Sequence, residues 1–171
     1  MNQPWDSMRR SGLFSSALLL LLGGCVYGFA GGGLPAHVKT IAVIPFENET
    51  TSSEIQRELL DAFRAELHNR LGVREAPEAR ASAIVRGTIQ RYEVDIPVAY
   101  SADNRATTTA LRMLQLVVDL ELVGQVTGQT LWERKGLSTE AKYEERGEPA
   151  ARKDAIRRVV NTLVEGAQSQ W

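Results

Sequence analysis

The run LQLVVDLEL, residues 114–122, decides the fold. Leu114, Leu116, Val118, Leu120 and Leu122 recur at every second position, with Gln115, Asp119 and Glu121 between them and Val117 and Val123 added to the second set. A period of two puts these sets on opposite sides of a pleated strand, so the segment Thr108–Gly124 reads as a strand with one face packed and one face wet. Val126-Thr127-Gly128-Gln129 follows as a hairpin turn, and Leu131 to Tyr143, anchored by Trp132, returns as a strand that alternates less cleanly. Upstream, Ala83–Ala99 is also extended: Val85, Gly87 and Ile89 keep one phase, and Tyr92, Val94 and Ile96 keep the other. The change of phase between Ile89 and Tyr92 predicts a bulge, and Pro97 marks the strand's end before a polar turn at residues 100–107.

The flanks switch to helical periods. Ile55, Leu59, Phe63 and Leu67 recur every fourth residue behind Ser52 or Ser53, and Gln56 stands three places after Ser53 as in a capping box. Gly72 sits where a helix closes on a left-handed residue. A second stripe, Ala155, Ile156, Val159, Val160, Leu163, Val164 and Ala167, follows Glu148-Pro149; its arginines, Arg152 with Lys153 and Arg157 with Arg158, are expected on the wet side. Ahead of the first helix, Ile41, Val43, Ile44 and Phe46 form a dense apolar run suited to a buried strand, with Pro45 at its end or on an unpaired side. Residues 73–81 connect, with a short extended piece at Val73. The order β-α-β-β-β-α gives an α+β, two-layer α/β sandwich: two helices on one face of a mixed, mainly antiparallel sheet of about four strands.

The amino-terminal part is of another kind. An apolar block of about 12 residues from Leu13 to Gly24 follows Met8, Arg9 and Arg10; it is a signal h-region in length and too short for a bilayer, which takes about 20 residues. Leu22-Gly23-Gly24-Cys25 resembles a lipobox, and the chain's one cysteine is Cys25. The resemblance to bacterial lipoprotein signals implies cleavage before Cys25, S-diacylglycerol on its sulfur and an acyl chain on its nitrogen; Val26 in place of an aspartate implies sorting to the outer membrane. The expected division is a signal peptide at 1–24, an anchored flexible lead-in at 25–38, and one α/β domain at 39–171.

Removing residues 1–24 leaves 147 residues with 18 basic and 20 acidic side chains, one domain's worth and no basic excess for nucleic acid. Gly31-Gly32-Gly33 lacks the lysine and the preceding strand of a phosphate loop, and is read as tether. His37 and His68 lie apart, and neither a CxxC nor an HExxH motif occurs, so no metal site, cofactor or catalytic residue is expected. Asp119 and Glu121 share a strand face and read as a solvated pair rather than an acid–base couple. Arg86, Arg91, Arg112, Arg134 and Lys135 fall on strands, where exposed cations are candidates for charge-assisted contacts to phosphate.

The run from Cys25 to Thr50, with Cys-Val-Tyr-Gly-Phe, Gly-Leu-Pro-Ala-His-Val-Lys and Ile-Pro-Phe-Glu-Asn-Glu-Thr, resembles the opening of the lipopolysaccharide-assembly lipoprotein family LptE. The remaining chain matches that family in element order, including the late strand with Trp132-Glu133 and Tyr143. The resemblance implies a non-catalytic outer-membrane lipoprotein lodged in the lumen of the LptD β-barrel, supporting barrel assembly and delivery of lipopolysaccharide to the outer leaflet. In that setting the strand cations named above are candidates for touching lipid A phosphates. Strings like IAVIPFENET also open other envelope domains, so a CsgG-like secretion lipoprotein or a TolB-N-like interaction module is the alternative.

Overall fold

Leu111–Gly124 forms β5, the strand between two long antiparallel neighbours, β4 (Ala83–Ala99) and β6 (Thr130–Tyr143). The computed structural model describes residues 34–99 and 111–169. The lipobox, Cys25 and the turn expected at 100–107 lie outside the described residues, as do the first three residues of the strand expected from Thr108.

The alternation of β5 holds along its length: Leu114, Leu116, Val118, Leu120 and Leu122 are buried, and the residues between them are partly open. Two helices cover that apolar face. In α1 (Ser53–Leu71) the four-residue stripe Ile55, Leu59, Phe63 and Leu67 is buried, and the helix closes at Gly72 with φ 65°. In α2 (Glu148–Ser169) the stripe Ala155, Ile156, Val159, Val160, Leu163, Val164 and Ala167 is buried together with Ala151. Both stripes and the inner face of the sheet belong to one hydrophobic core, where the Phe46 and Phe63 rings meet at 5.3 Å.

The α+β class and the two helices on one face of a mixed sheet are borne out, with six strands among the described residues rather than about four. β1 (Thr40–Val43) runs parallel to β4, as the helical crossover allows. The two additional strands are β2 (Glu47–Asn48), parallel to β4, and β3 (Arg74–Glu75), parallel to β1. Each has two residues, too few to show a period. The sheet order is β3-β1-β4-β5-β6, with β2 continuing β1's place beside β4. Pro45 lies in the gap between β1 and β2, where its missing N–H interrupts no ladder.

Two local expectations need correction. Ser52, one of the two expected residues, precedes the helix, but neither the side-chain cap nor the Ser53–Gln56 capping box forms. Gln56 instead donates from Nε2 to the Phe46 carbonyl at 2.6 Å, while Asn48 Nδ2 donates to the Ser52 carbonyl at 2.9 Å. The helix start is thus stitched to the strand before it rather than boxed on itself. Pro97 does not end β4, which runs on to Ala99 with Pro97 opposite Arg112. The expected bulge does appear, as a register shift between Ile89 and Arg91, and a second lies between Glu93 and Ile96. The uneven pattern of β6 has its own cause: a register shift between its pairings with Val118 and Leu120 leaves Glu133–Gly136 exposed. Gly136 there has φ 60°, and its N–H is held by Asp119 Oδ1 at 2.6 Å.

Candidate functional site

The sheet face opposite the helices carries most of the expected site residues. Alternation sends Arg86 and Thr88 of β4, Asp119 and Glu121 of β5, and Glu133 of β6 to this side, in registered pairs Arg86–Glu121, Thr88–Asp119 and Glu121–Glu133. Between β2 and the β6 bulge the face dips into a cleft of about 400 Å³, rimmed by Glu47, Arg86, Asp119, Glu121, Glu133 and Lys135. Four carboxylates face two cations in this cleft, so it does not make a phosphate cradle on its own.

The candidate cations are mostly paired. Arg86 Nε donates to Glu121 Oε2 at 2.9 Å; that guanidinium, with the Thr130 hydroxyl donating to Oε1 at 2.8 Å, holds the Glu121 carboxyl below its ordinary range. Lys135 Nζ lies 2.9 Å from Glu133, and Arg91 Nε lies 3.6 Å from Glu93. Arg112 donates to Asp95 Oδ1 at 2.7 Å and, with Tyr143, lowers the Asp95 pKa. Arg134, opposite Leu120 at the β6 bulge, is exposed and has no ion pair among the described residues. The five residues do not converge: Arg86 and Lys135 share the cleft, while Arg91 and Arg112 lie farther along the β4–β5 hairpin. These are solvent-exposed pairs, weakened by screening, so an anion of sufficient charge can displace their carboxylates.

Asp119 and Glu121 are engaged with different partners. Glu121 is held by Arg86 and Thr130, and Asp119 accepts from Gln90 Nε2 at 2.7 Å and from the Gly136 N–H. His37 and His68 are both exposed, and no group of three metal-ligating side chains occurs among the described residues. No described helix is long and apolar enough to cross a membrane.

Two clusters escaped the sequence. In the second β4 bulge Asp95 adopts φ 61°; its N–H donates to Tyr143 Oη at 2.8 Å, and the Tyr143 hydroxyl donates back to Asp95 Oδ1 at 2.9 Å. The pairing spans 48 positions and leaves no local trace. Arg152 is the other correction: expected on the wet side of α2, its side chain is 13 % exposed and lies among Glu54, Glu58 and Glu148. The Tyr92 hydroxyl joins them, donating to Glu148 at 2.6 Å; burial, then the neighbouring carboxylate, raise its pKa and keep it protonated. Only Glu148, four residues ahead on the same helix, was a visible partner.

Comparison with known proteins places this fold. Solved structures share it at low identity: the hypothetical protein CT253 from Chlamydia trachomatis (TM-score 0.52, 9 % identity, 75 % of this chain and 96 % of that one); the PelC dodecamer from Paraburkholderia phytofirmans (0.51, 17 %, 75 % and 91 %); and a putative neuraminyllactose-binding hemagglutinin homolog from Helicobacter pylori (0.51, 17 %, 84 % and 90 %). At these identities the likeness is one of fold alone. No curated protein matches the chain. The family model of LptE, described as Lipopolysaccharide-assembly, matches residues 38–166, three quarters of the sequence and nearly all of the described domain. The chain therefore belongs to the LptE family of lipopolysaccharide-assembly proteins.

Proposed function

We propose that this chain is an outer-membrane lipoprotein that occupies the lumen of an LptD-type β-barrel, supports that barrel's assembly and helps deliver lipopolysaccharide to the outer leaflet. The observation that carries the reading is the family match over residues 38–166. The sheet face left uncovered by the helices supports it: it is wet and mixed in charge, with apolar side chains such as Ile84, Met113, Val117 and Val123 set among the polar ones, compatible with a polar barrel interior. Cys25, cleaved free of residues 1–24 and acylated on sulfur and nitrogen, anchors the domain through the lead-in at 25–38. Two or more acyl chains give stable anchoring where one gives marginal binding. The role is structural, without catalysis or cofactor. Of the five strand cations, Arg134 meets a lipid A phosphate most readily, because Arg86, Arg91, Arg112 and Lys135 must each exchange a carboxylate first. Depletion tests the role: loss of the chain should strand lipopolysaccharide inside the envelope and thin the barrel population. Normal surface lipopolysaccharide and normal barrel levels after depletion would overturn it.

A further inference from the structure

The two helices run side by side in the same direction and are stitched at both ends. Near their starts, Arg152 of α2 holds Glu54 and Glu58 of α1. Near their ends, Arg70 of α1 donates to Asn161, and Gln168 Nε2 of α2 donates to the Arg70 carbonyl at 3.4 Å. From Glu58 to Arg70, about 18 Å along the helix at 1.5 Å per residue, no side-chain bond joins the two among the described residues. There the helix surfaces part over a mainly apolar groove of about 380 Å³, floored by Ala62 and Ile156 and open beside the exposed Ala65. Its rims differ in sign: Asp61 and Glu66 stand on the α1 side, Lys153 and Arg157 on the α2 side, and no ion pair closes the gap between them. Arg157 is taken by Asp154 on its own helix, as is Arg158. Arg64 and His68 turn to the opposite flank of α1, toward Glu75. Arg57 and Glu165 are exposed outside the groove. The rims therefore hold two carboxylates, Asp61 and Glu66, against one ammonium, Lys153, none of them in an ion pair among the described residues.

We infer that this groove seats an extended segment of the barrel's lumenal side, with an apolar side chain entering between the helices and a lysine or arginine beside it meeting Asp61 and Glu66. The inference rests on the barrel partnership proposed above and names the surface that makes it. Small side chains at Ala62 and Ala65 leave room for a large one, and burying it takes apolar surface of both partners out of water. Aromatic and arginine anchors seated in such pockets dominate the energy of protein interfaces. The charges select the occupant. Two open carboxylates draw a basic segment and turn away an acidic one, and for the same reason they turn away lipid A phosphates, so the occupant is protein rather than lipopolysaccharide. The stitches at Arg152 and Arg70 hold the helices at a fixed spacing, so the seat is formed before the segment arrives and little ordering is left for binding to supply.

The test maps the groove inside the envelope. The full-length tagged chain is produced with a photoreactive benzophenone amino acid in place of Ala65, irradiated in cells and purified in mild detergent, and the cross-linked peptide is identified by mass spectrometry. The expected product joins position 65 to a barrel segment that carries an apolar side chain next to a lysine or arginine. In parallel, Ala65→Trp should fill the groove and lower recovery of the barrel at least about tenfold. The Asp61→Asn, Glu66→Gln double variant should lower it in the same direction, whereas Arg57→Trp, equally bulky but outside the groove, should keep it. Melting curves confirm that each variant folds. A barrel that copurifies with the parent yet cross-links at none of its segments, or that tolerates Ala65→Trp as well as Arg57→Trp, would overturn the groove and leave the partnership standing. A cross-link to a second copy, to this chain's own residues or to lipopolysaccharide would do the same. A parent chain that brings down no barrel would defeat the partnership itself, and the groove's role with it.

Discussion

Arg152 Nε donates to Glu58 Oε2 across 2.9 Å, and this bond joins the last helix to the first. The same guanidinium reaches Glu54 at 3.2 Å and Glu148 at 3.0 Å, so one cation holds three carboxylates that would otherwise repel. Arg152→Ala should lower stability by about 2 kcal/mol, between the cost of breaking a surface pair and a buried one, and lower the melting temperature by about 6 °C. Arg152→Lys should recover little, because an ammonium cannot reproduce the fork. A melting curve for Arg152→Ala within 1 °C of the parent would show that the cluster is ornamental.

Gly166 lies inside α2, where alanine is ordinarily better by about 1 kcal/mol. Here the sign should reverse. A Cβ at Gly166 would fall within the Trp132 indole, which is itself buried at 7 % exposure and cannot swing out. Gly166→Ala should cost about 2 kcal/mol by overpacking, read from a urea midpoint with an unchanged slope. A stabilised variant would mean that the helix and β6 are packed less closely than described.

The acid limb of stability should trace to Asp95 and Glu121. Both carboxyls have pKa values below the ordinary range near 4, Asp95 through Arg112 and then Tyr143, Glu121 through Arg86. A depressed folded pKa contributes stability that is complete above the unfolded value and is lost as pH falls through the folded one. The parent should therefore lose stability below about pH 4 more steeply than the Asp95→Asn, Glu121→Gln double variant. Parallel curves between pH 5 and pH 2 would contradict the assignment.

Tyr143 holds the second β4 bulge through both the N–H and the carboxylate of Asp95. Tyr143→Phe should leave the core intact and quicken amide exchange in residues 93–98 by about thirtyfold, the loss of two ordinary hydrogen bonds. Unchanged exchange there, or faster exchange throughout the sheet, would show that the bulge is held otherwise.

The legible parts of the fold are those with local periodicity. The alternation at 114–122, the four-residue stripe from Ile55 to Leu67 and the phase change after Ile89 each translate directly into an observed element or bulge. β2 and β3, of two residues each, exist because β4 and β1 offer them a ladder, and nothing in Glu47-Asn48 or Arg74-Glu75 announces it. The charges were hardest to read. A cation on a strand looks the same in sequence whether it is open, like Arg134, or committed across 35 positions, like Arg86 to Glu121. Arg152 was misplaced for the same reason, since Glu54 and Glu58 approach it from another helix.

The central claim is partnership with a barrel, and purification in mild detergent through a carboxy-terminal tag tests it most directly. The account predicts an outer-membrane β-barrel of about twenty or more strands, the class whose lumen is filled by a plug, recovered in equal amount with the tagged chain. Recovery of the tagged chain alone, or only with copies of itself, would contradict it.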